Sequence, residues 1–196
     1  MKHKGYLANS VAGFTLIELI VVAAIIGVLL AIAIPNLIKA RISANEANAR
    51  KSMQTLRDAE GEFLALDLDG DEKRDYANAI GDLSTPGTLR CPSSGCGIQD
   101  ALVTEEFEKA DSGGSGSANC QRPKAGYCVQ FDSAVLPNGN GDYDDFGWQA
   151  SPRRVNRTGR RDFSVYGDAL IRCSVSTAST GSQGQFDATR SAKACD

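Results

Sequence analysis

A chain of 196 residues with 23% charged residues and a formal net charge of −3 has the mild acidic balance of a soluble surface, and gives no pull toward nucleic acid. Its single histidine is His3, so a histidine base for a serine or cysteine nucleophile is missing from the rest of the chain. With no phosphate loop, no C-x-x-C pair and no C-x-x-C-H haem site, composition and motifs argue against the common enzyme and electron-transfer classes.

In chain order, residues 1–13 are a short segment with Lys2 and Lys4 that ends in Gly13. From Phe14 to Ile34 the only ionisable side chain is Glu18; as a helix this run spans ~31 Å, the thickness of a bilayer core. The apolar run follows the small residue instead of preceding it, the reverse of a secretory signal peptide. A basic leader ending in Gly13, then Phe14-Thr15-Leu16-Ile17-Glu18, then an apolar helix carrying Pro35 resembles the type IV pilins and pseudopilins of bacteria. The resemblance covers residues 1 to about 60. It implies cleavage after Gly13 by a prepilin peptidase, N-methylation of Phe14 and residence in the inner membrane. Self-assembly into a helical filament by pilus or type II secretion machinery follows.

Glu18 supports that reading on its own chemistry. A carboxylate inside a membrane segment is costly and usually has a partner, and its own helix offers none. Cleavage after Gly13 would leave a charged amine on Phe14 one turn away, where it can meet Glu18 of a neighbouring subunit. The alternative is a carboxylate that snorkels to the membrane surface. Pro35 removes a backbone donor and crowds the carbonyl of Ala31, which predicts a bend; in the family this stretch is one that extends in the filament.

Beyond Pro35, Ile42, Ala49, Leu56 and Phe63 recur every seven residues with Met53 on the same side, an amphipathic stripe fit to bury against a sheet. Glu46 stands four residues before Arg50, a favourable ion-pair spacing. One helix from Phe14 to Leu66 is the simplest reading. It ends in a crowd of Asp67, Asp69, Asp71 and Asp75 beside Gly70, which is either a solvated turn or a calcium loop, since alternate carboxylates are the oxygen ligands calcium takes. The run Asn138 to Asp145 poses the same choice. Calcium is the only cofactor the chain suggests.

Residues 76–83 and 101–110 read as short helices, the second capped by Asp100 with Val103, Phe107 and Ala110 on one face. The Gly/Ser-rich stretch 111–119 reads as a mobile surface loop. Four strands follow, in GYCVQF, DFGWQA, RDFSVY and ALIRC, the last two joined by Gly167 and Asp168 in a tight hairpin turn. The polar tail from Ser174 is loose unless Cys195 ties it back.

The six cysteines, Cys91, Cys96, Cys120, Cys128, Cys173 and Cys195, all lie beyond the apolar helix, and an even number in an exported domain reads as disulfides over zinc. Local loop closure favours Cys91 with Cys96, Cys120 with Cys128, and Cys173 with Cys195. The last would hold the tail as the C-terminal disulfide loop does in many pilins that the chain resembles.

The reading is therefore an α+β, pilin-like chain: a leader (1–13), a long helix (14–66, with 14–34 in the membrane and filament core) and a headgroup (67–196). The headgroup divides into a connecting region (67–125), a β-meander (126–173) and a tail (174–196). The function expected is a structural subunit of a type IV pilus or pilus-like filament serving adhesion, motility or surface attachment. The alternatives are a type II secretion pseudopilin, and a minor pilin that binds DNA or a surface through Arg153, Arg154, Arg157, Arg160 and Arg161. For that arginine cluster, acidic loops of a neighbouring subunit are the preferred partner.

Overall fold

The computed structural model describes residues 13–66, 74–84 and 101–195. The chain divides into two compact units, Met1–Lys39 and Ala40–Asp196. Helix α1 (Leu16–Leu66) begins in the first and continues into the second, with Pro35 inside it and no break in the helix. In the first unit every described side chain is exposed.

The second unit is α+β. Two short helices, α2 (Ile80–Ser84) and α3 (Glu105–Ala110), precede four strands, β1 (Tyr127–Phe131), β2 (Gly147–Pro152), β3 (Arg161–Tyr166) and β4 (Arg172–Val175). The strands form one antiparallel meander in the order β1-β2-β3-β4. The heptad stripe is buried as its spacing predicts: Ala49, Met53, Leu56 and Phe63 share one core with Tyr127, Val129, Trp148, Ala150, Phe163 and Val165 of the sheet. Trp148 lies at its centre, edge-on to Phe131 with ring centroids 5.3 Å apart, a favoured aromatic geometry.

Several local expectations shift. Helix α2 is shorter than 76–83 because the amides of Tyr76 and Ala77 are committed elsewhere, to the Tyr143 carbonyl and the Glu60 carboxyl. Helix α3 starts after Thr104, since Leu102 and Val103 both donate to the Leu83 carbonyl; the proposed cap, Asp100, lies outside the described residues. The stretch 111–119 is anchored at both ends, Ser112 by the Val129 carbonyl and Ala118 by that of Gly184.

Gly167 and Asp168 do form a turn, with the Ala169 amide donating to the Tyr166 carbonyl at 2.8 Å, but the connection is longer than the tight hairpin expected. Gly167 donates to Asp145, Asp168 pairs with Arg172, and Ala169 takes a φ of 60°, so the connection runs to residue 171 and β4 begins at Arg172.

The far face of the sheet is polar yet covered: Gln130, Gln149, Ser151, Asp162 and Ser164 are all buried. The tail covers them. It brings its own backbone donors and acceptors: Gly184 donates to the Pro152 carbonyl, Phe186 to the Ser151 hydroxyl and Asp187 to the Asp162 carboxylate, while the Ala188 carbonyl accepts from Gln149. Gln130, Gln149, Ser151 and Asp162 are buried with hydrogen-bond partners, while the Ser164 hydroxyl has none among the described residues. Further along, Cys173 donates to the Lys193 carbonyl and Cys195 to that of Ile171.

Candidate functional site

Gly13, Phe14 and Thr15 precede the first turn of α1. Among the described residues, a side chain added at Gly13 would meet nothing within 4 Å. Phe14 is 77% exposed, and the large apolar side chains from it to Ile38 are all 47–77% exposed. Helix α1 is long and apolar enough to cross a membrane.

The Thr15 hydroxyl lies 3.5 Å from the Glu18 carboxylate and 3.4 Å from the Glu18 amide, the Thr-x-x-Glu spacing that opens helices. This local partner was missed from sequence, although the four-residue pattern signals it. It corrects the reading of Glu18 as wholly unpartnered, but a neutral hydroxyl leaves the negative charge uncompensated.

In the second unit, α1 is held to the sheet by two carboxylates. Glu46, paired with Arg50 in the sequence reading, is buried at the side of β3, where it accepts the Arg160 amide at 2.9 Å and the Arg161 guanidinium at 2.8 Å. Asn45 donates to the Thr158 carbonyl at 2.8 Å. About four turns on, Glu60 is fully buried and accepts the Trp148 indole at 2.6 Å and the Ala77 amide at 3.0 Å. Burial pushes its pKa up to about 8, assisted by Asp82 and Asp75 and opposed by the two hydrogen bonds. On the far face, burial likewise raises Asp162 to about 7 against the hydrogen bonds from Ser151 and the Asp187 amide. Tyr127 is raised first by burial and then by the charge of Glu46. Each of these groups closes a joint between elements.

The arginine cluster is largely a tie. Arg153 donates to the Ala118 carbonyl and the Asn119 side chain, Arg154 to the Gly181 carbonyl, and Arg161 to Glu46. Only Arg154, Arg157 and Arg160 of the five are exposed.

Cys120 is bonded to Cys128 and Cys173 to Cys195, two of the three pairings that loop closure favoured. Cys91 and Cys96 lie outside the described residues, as do Asp67, Asp69 and Asp71 of the acidic turn. The fourth carboxylate of that turn, Asp75, lies near Glu60. In the second acidic run, Asn138 accepts the amides of Asn140 and Asp142 and donates to Asp144, while Asp145 is engaged by Phe146, Gly167 and Arg190. That loop is closed by its own hydrogen bonds. Among the described residues no three metal-ligating side chains converge.

Comparison with known proteins bears on the first of these regions. A family model described as the prokaryotic N-terminal methylation motif matches residues 8–34. A stretch of 69 residues is 45% identical to the type IV major pilin protein PilA of Myxococcus xanthus; it spans 35% of this chain and 30% of that protein. No solved structure matches the chain.

Proposed function

We propose that this chain, a type IV pilin by its N-terminal methylation segment, is a structural subunit of a type IV pilus, with self-association as its activity in place of catalysis. One observation carries the reading. A methylation motif opens directly onto a helix whose apolar side chains stay exposed throughout the first unit, so the helix requires a bilayer first and other subunits afterwards. Open space around Gly13 among the described residues fits a glycine selected by a processing peptidase.

In this account the leader is removed after Gly13, Phe14 is N-methylated, and the mature chain waits in the inner membrane. Without Lys2 and Lys4 the mature chain has 19 basic and 24 acidic residues, a formal charge of −5. The name of the Myxococcus relative, a major pilin, favours a pilus over a secretion pseudopilus. Calcium in the acidic turn remains a proposal for residues 67–75.

The test is mass spectrometry of filaments sheared from cells. Their main component should begin at N-methyl-Phe14, and Gly13→Leu should leave unprocessed protein in the membrane with no filaments. Filaments built from protein that retains residues 1–13 would overturn the proposal.

A further inference from the structure

The C-terminal strap, residues 176–194, is closed at its base by the Cys173–Cys195 bond, so it can lift from the sheet and stay tethered. Little apolar surface holds it down. Phe186 and Ala188 are its only buried hydrophobic side chains. Phe186 fills a small cluster with Ala118, Cys120 and Cys128, apart from the main core. It does so at a φ of 56°, a left-handed backbone that a bulky residue rarely adopts. The polar attachments converge on one row of the sheet, where Ser151 of β2, Asp162 of β3 and Ser174 of β4 are neighbours.

Two carboxyl groups meet in that row. Asp162 is fully buried and accepts the Ser151 hydroxyl and the Asp187 amide, while the Asp187 carboxyl acts on it both by charge and by a hydrogen bond. Asp187 also accepts the amide and hydroxyl of Thr177, which ties the first part of the strap to the same point. Around the pair, β2 offers the Ser151 hydroxyl and β4 the Ser174 hydroxyl, which is buried without a partner among the described residues. From β1, the Tyr127 phenol feels the Asp162 charge and donates to the Arg161 carbonyl. The arginines of the surrounding elements are engaged elsewhere or exposed. Arg161 pairs with Glu46, Arg172 with Asp168 and Arg190 with Asp145; Arg153 donates to the Ala118 carbonyl and Arg154 to that of Gly181; Arg157 and Arg160 are exposed. Two carboxyl groups in hydrogen-bond contact, one of them fully buried, are compatible while they share a proton and repel once both are charged.

We propose that the strap is a proton-operated latch: the carboxyl groups of Asp162 and Asp187 hold it on β2 and β3 while they share a proton, and their joint ionisation releases residues 177–192 as a loop still tethered by the Cys173–Cys195 bond. Opening exchanges the strap's contacts with Gln149, Ser151 and Asp162 for water. Burial, with the Asp187 charge adding to it, raises Asp162 to about 7 against the hydrogen bonds from Ser151 and the Asp187 amide. The closed strap thus binds the proton more tightly than the open one, so closure is favoured in acid and is lost as pH rises through about 7. The latch lies wholly within the second unit and is independent of the membrane and filament reading.

The test is amide hydrogen exchange of the full mature chain in detergent, expressed as protection factors so that the intrinsic rise of exchange with pH is removed. Gly184, Phe186 and Asp187 report the strap, because their amides donate to Pro152, Ser151 and Asp162. Between about pH 6 and about pH 8 their protection should fall about tenfold, the effect of titrating one group at about 7. The amides of β1 should stay better protected than the strap at both pH values, since the strap opens alone. Asp162→Asn keeps the shape and cannot ionise, so its strap protection should be flat over this range. Asp187→Asn, at the less buried member of the pair, should shrink the fall, and it keeps the test open where Asp162→Asn does not fold. Phe186→Ala should lower strap protection at both pH values and leave the fall in place. Equal protection at the two pH values in the wild type, an undiminished fall in either asparagine variant, or loss of protection by the same factor in the strap and β1 would each overturn the latch.

Discussion

Glu60 occupies the middle of the core with its carboxyl group bonded to the Trp148 indole and the Ala77 amide. Both partners are donors, yet neither carries a charge, so desolvation dominates and the folded pKa rises from 4.5 to about 8. A folded pKa above the unfolded one means that the native state holds the proton more tightly. The stabilisation this provides is complete below about pH 4.5 and is lost as pH rises toward 8. Asp162, raised from 3.8 to about 7 by burial, acts in the same direction over a lower window. Urea midpoints of the full chain in detergent should therefore fall between pH 5 and 8. Glu60→Gln, which cannot ionise, should reduce that fall by on the order of 2–3 kcal/mol, whatever its own effect on stability. A variant with the wild-type pH profile would show that Glu60 is not held neutral.

At the scale of elements, the C-terminal tail is a third layer, since it buries the face of the sheet that alternation alone would leave wet. Its approach is closest at Gly184, where an added Cβ would stand 2.0 Å from the Ser151 hydroxyl and 3.0 Å from the Pro152 carbonyl. Gly184→Ala should destabilise the headgroup by about 1–3 kcal/mol through this overpacking. Gly139→Ala, whose side chain would meet nothing within 4 Å, should stay within about 0.5 kcal/mol of wild type. Equal unfolding midpoints for the two variants would mean the tail does not lie on β2. The Cys173–Cys195 bridge encloses a separation of 22 residues, so replacing both cysteines by serine should cost roughly 3 kcal/mol. The loss should be read as a lower thermal midpoint, and non-reducing peptide maps should link Cys195 to Cys173.

Across the whole molecule, the two units solve opposite problems. The described residues from 40 to 195 bury most of their large apolar side chains, apart from Leu136, Leu170 and Val175, whereas those of residues 13–39 are all exposed. Exposed apolar surface on this scale marks a site of interaction, and Glu18 is the one charged side chain from Phe14 to Ile38. If Glu18 meets the Phe14 amine of a neighbour in a dry filament core, removing it strands a buried positive charge at a cost of several kcal/mol. Glu18→Ala should therefore enter the membrane at wild-type levels but yield few filaments by electron microscopy. Normal filament numbers would remove the role assigned to this carboxylate, and neighbour pairing would then rest on apolar contact alone.

The methylation motif, the apolar span, the helix stripe and the antiparallel meander were legible from sequence because each is a local signal. Gly13 to Glu18 is contiguous, Ile42 to Phe63 repeats on one helix face, and the strands alternate over a few residues. The two short disulfides were legible for the same reason, as neighbours in the chain close cheap loops. What only the tertiary structure decided are pairings between distant segments: Glu46 with Arg161, Glu60 with Trp148, and the tail with the far face of the sheet. Periodicity identifies which face of a strand is polar, but a polar face is wet only if nothing else brings hydrogen-bond partners to it. Here residues 184–188 do, and no signal within β2 or β3 announces a partner that lies more than twenty residues away.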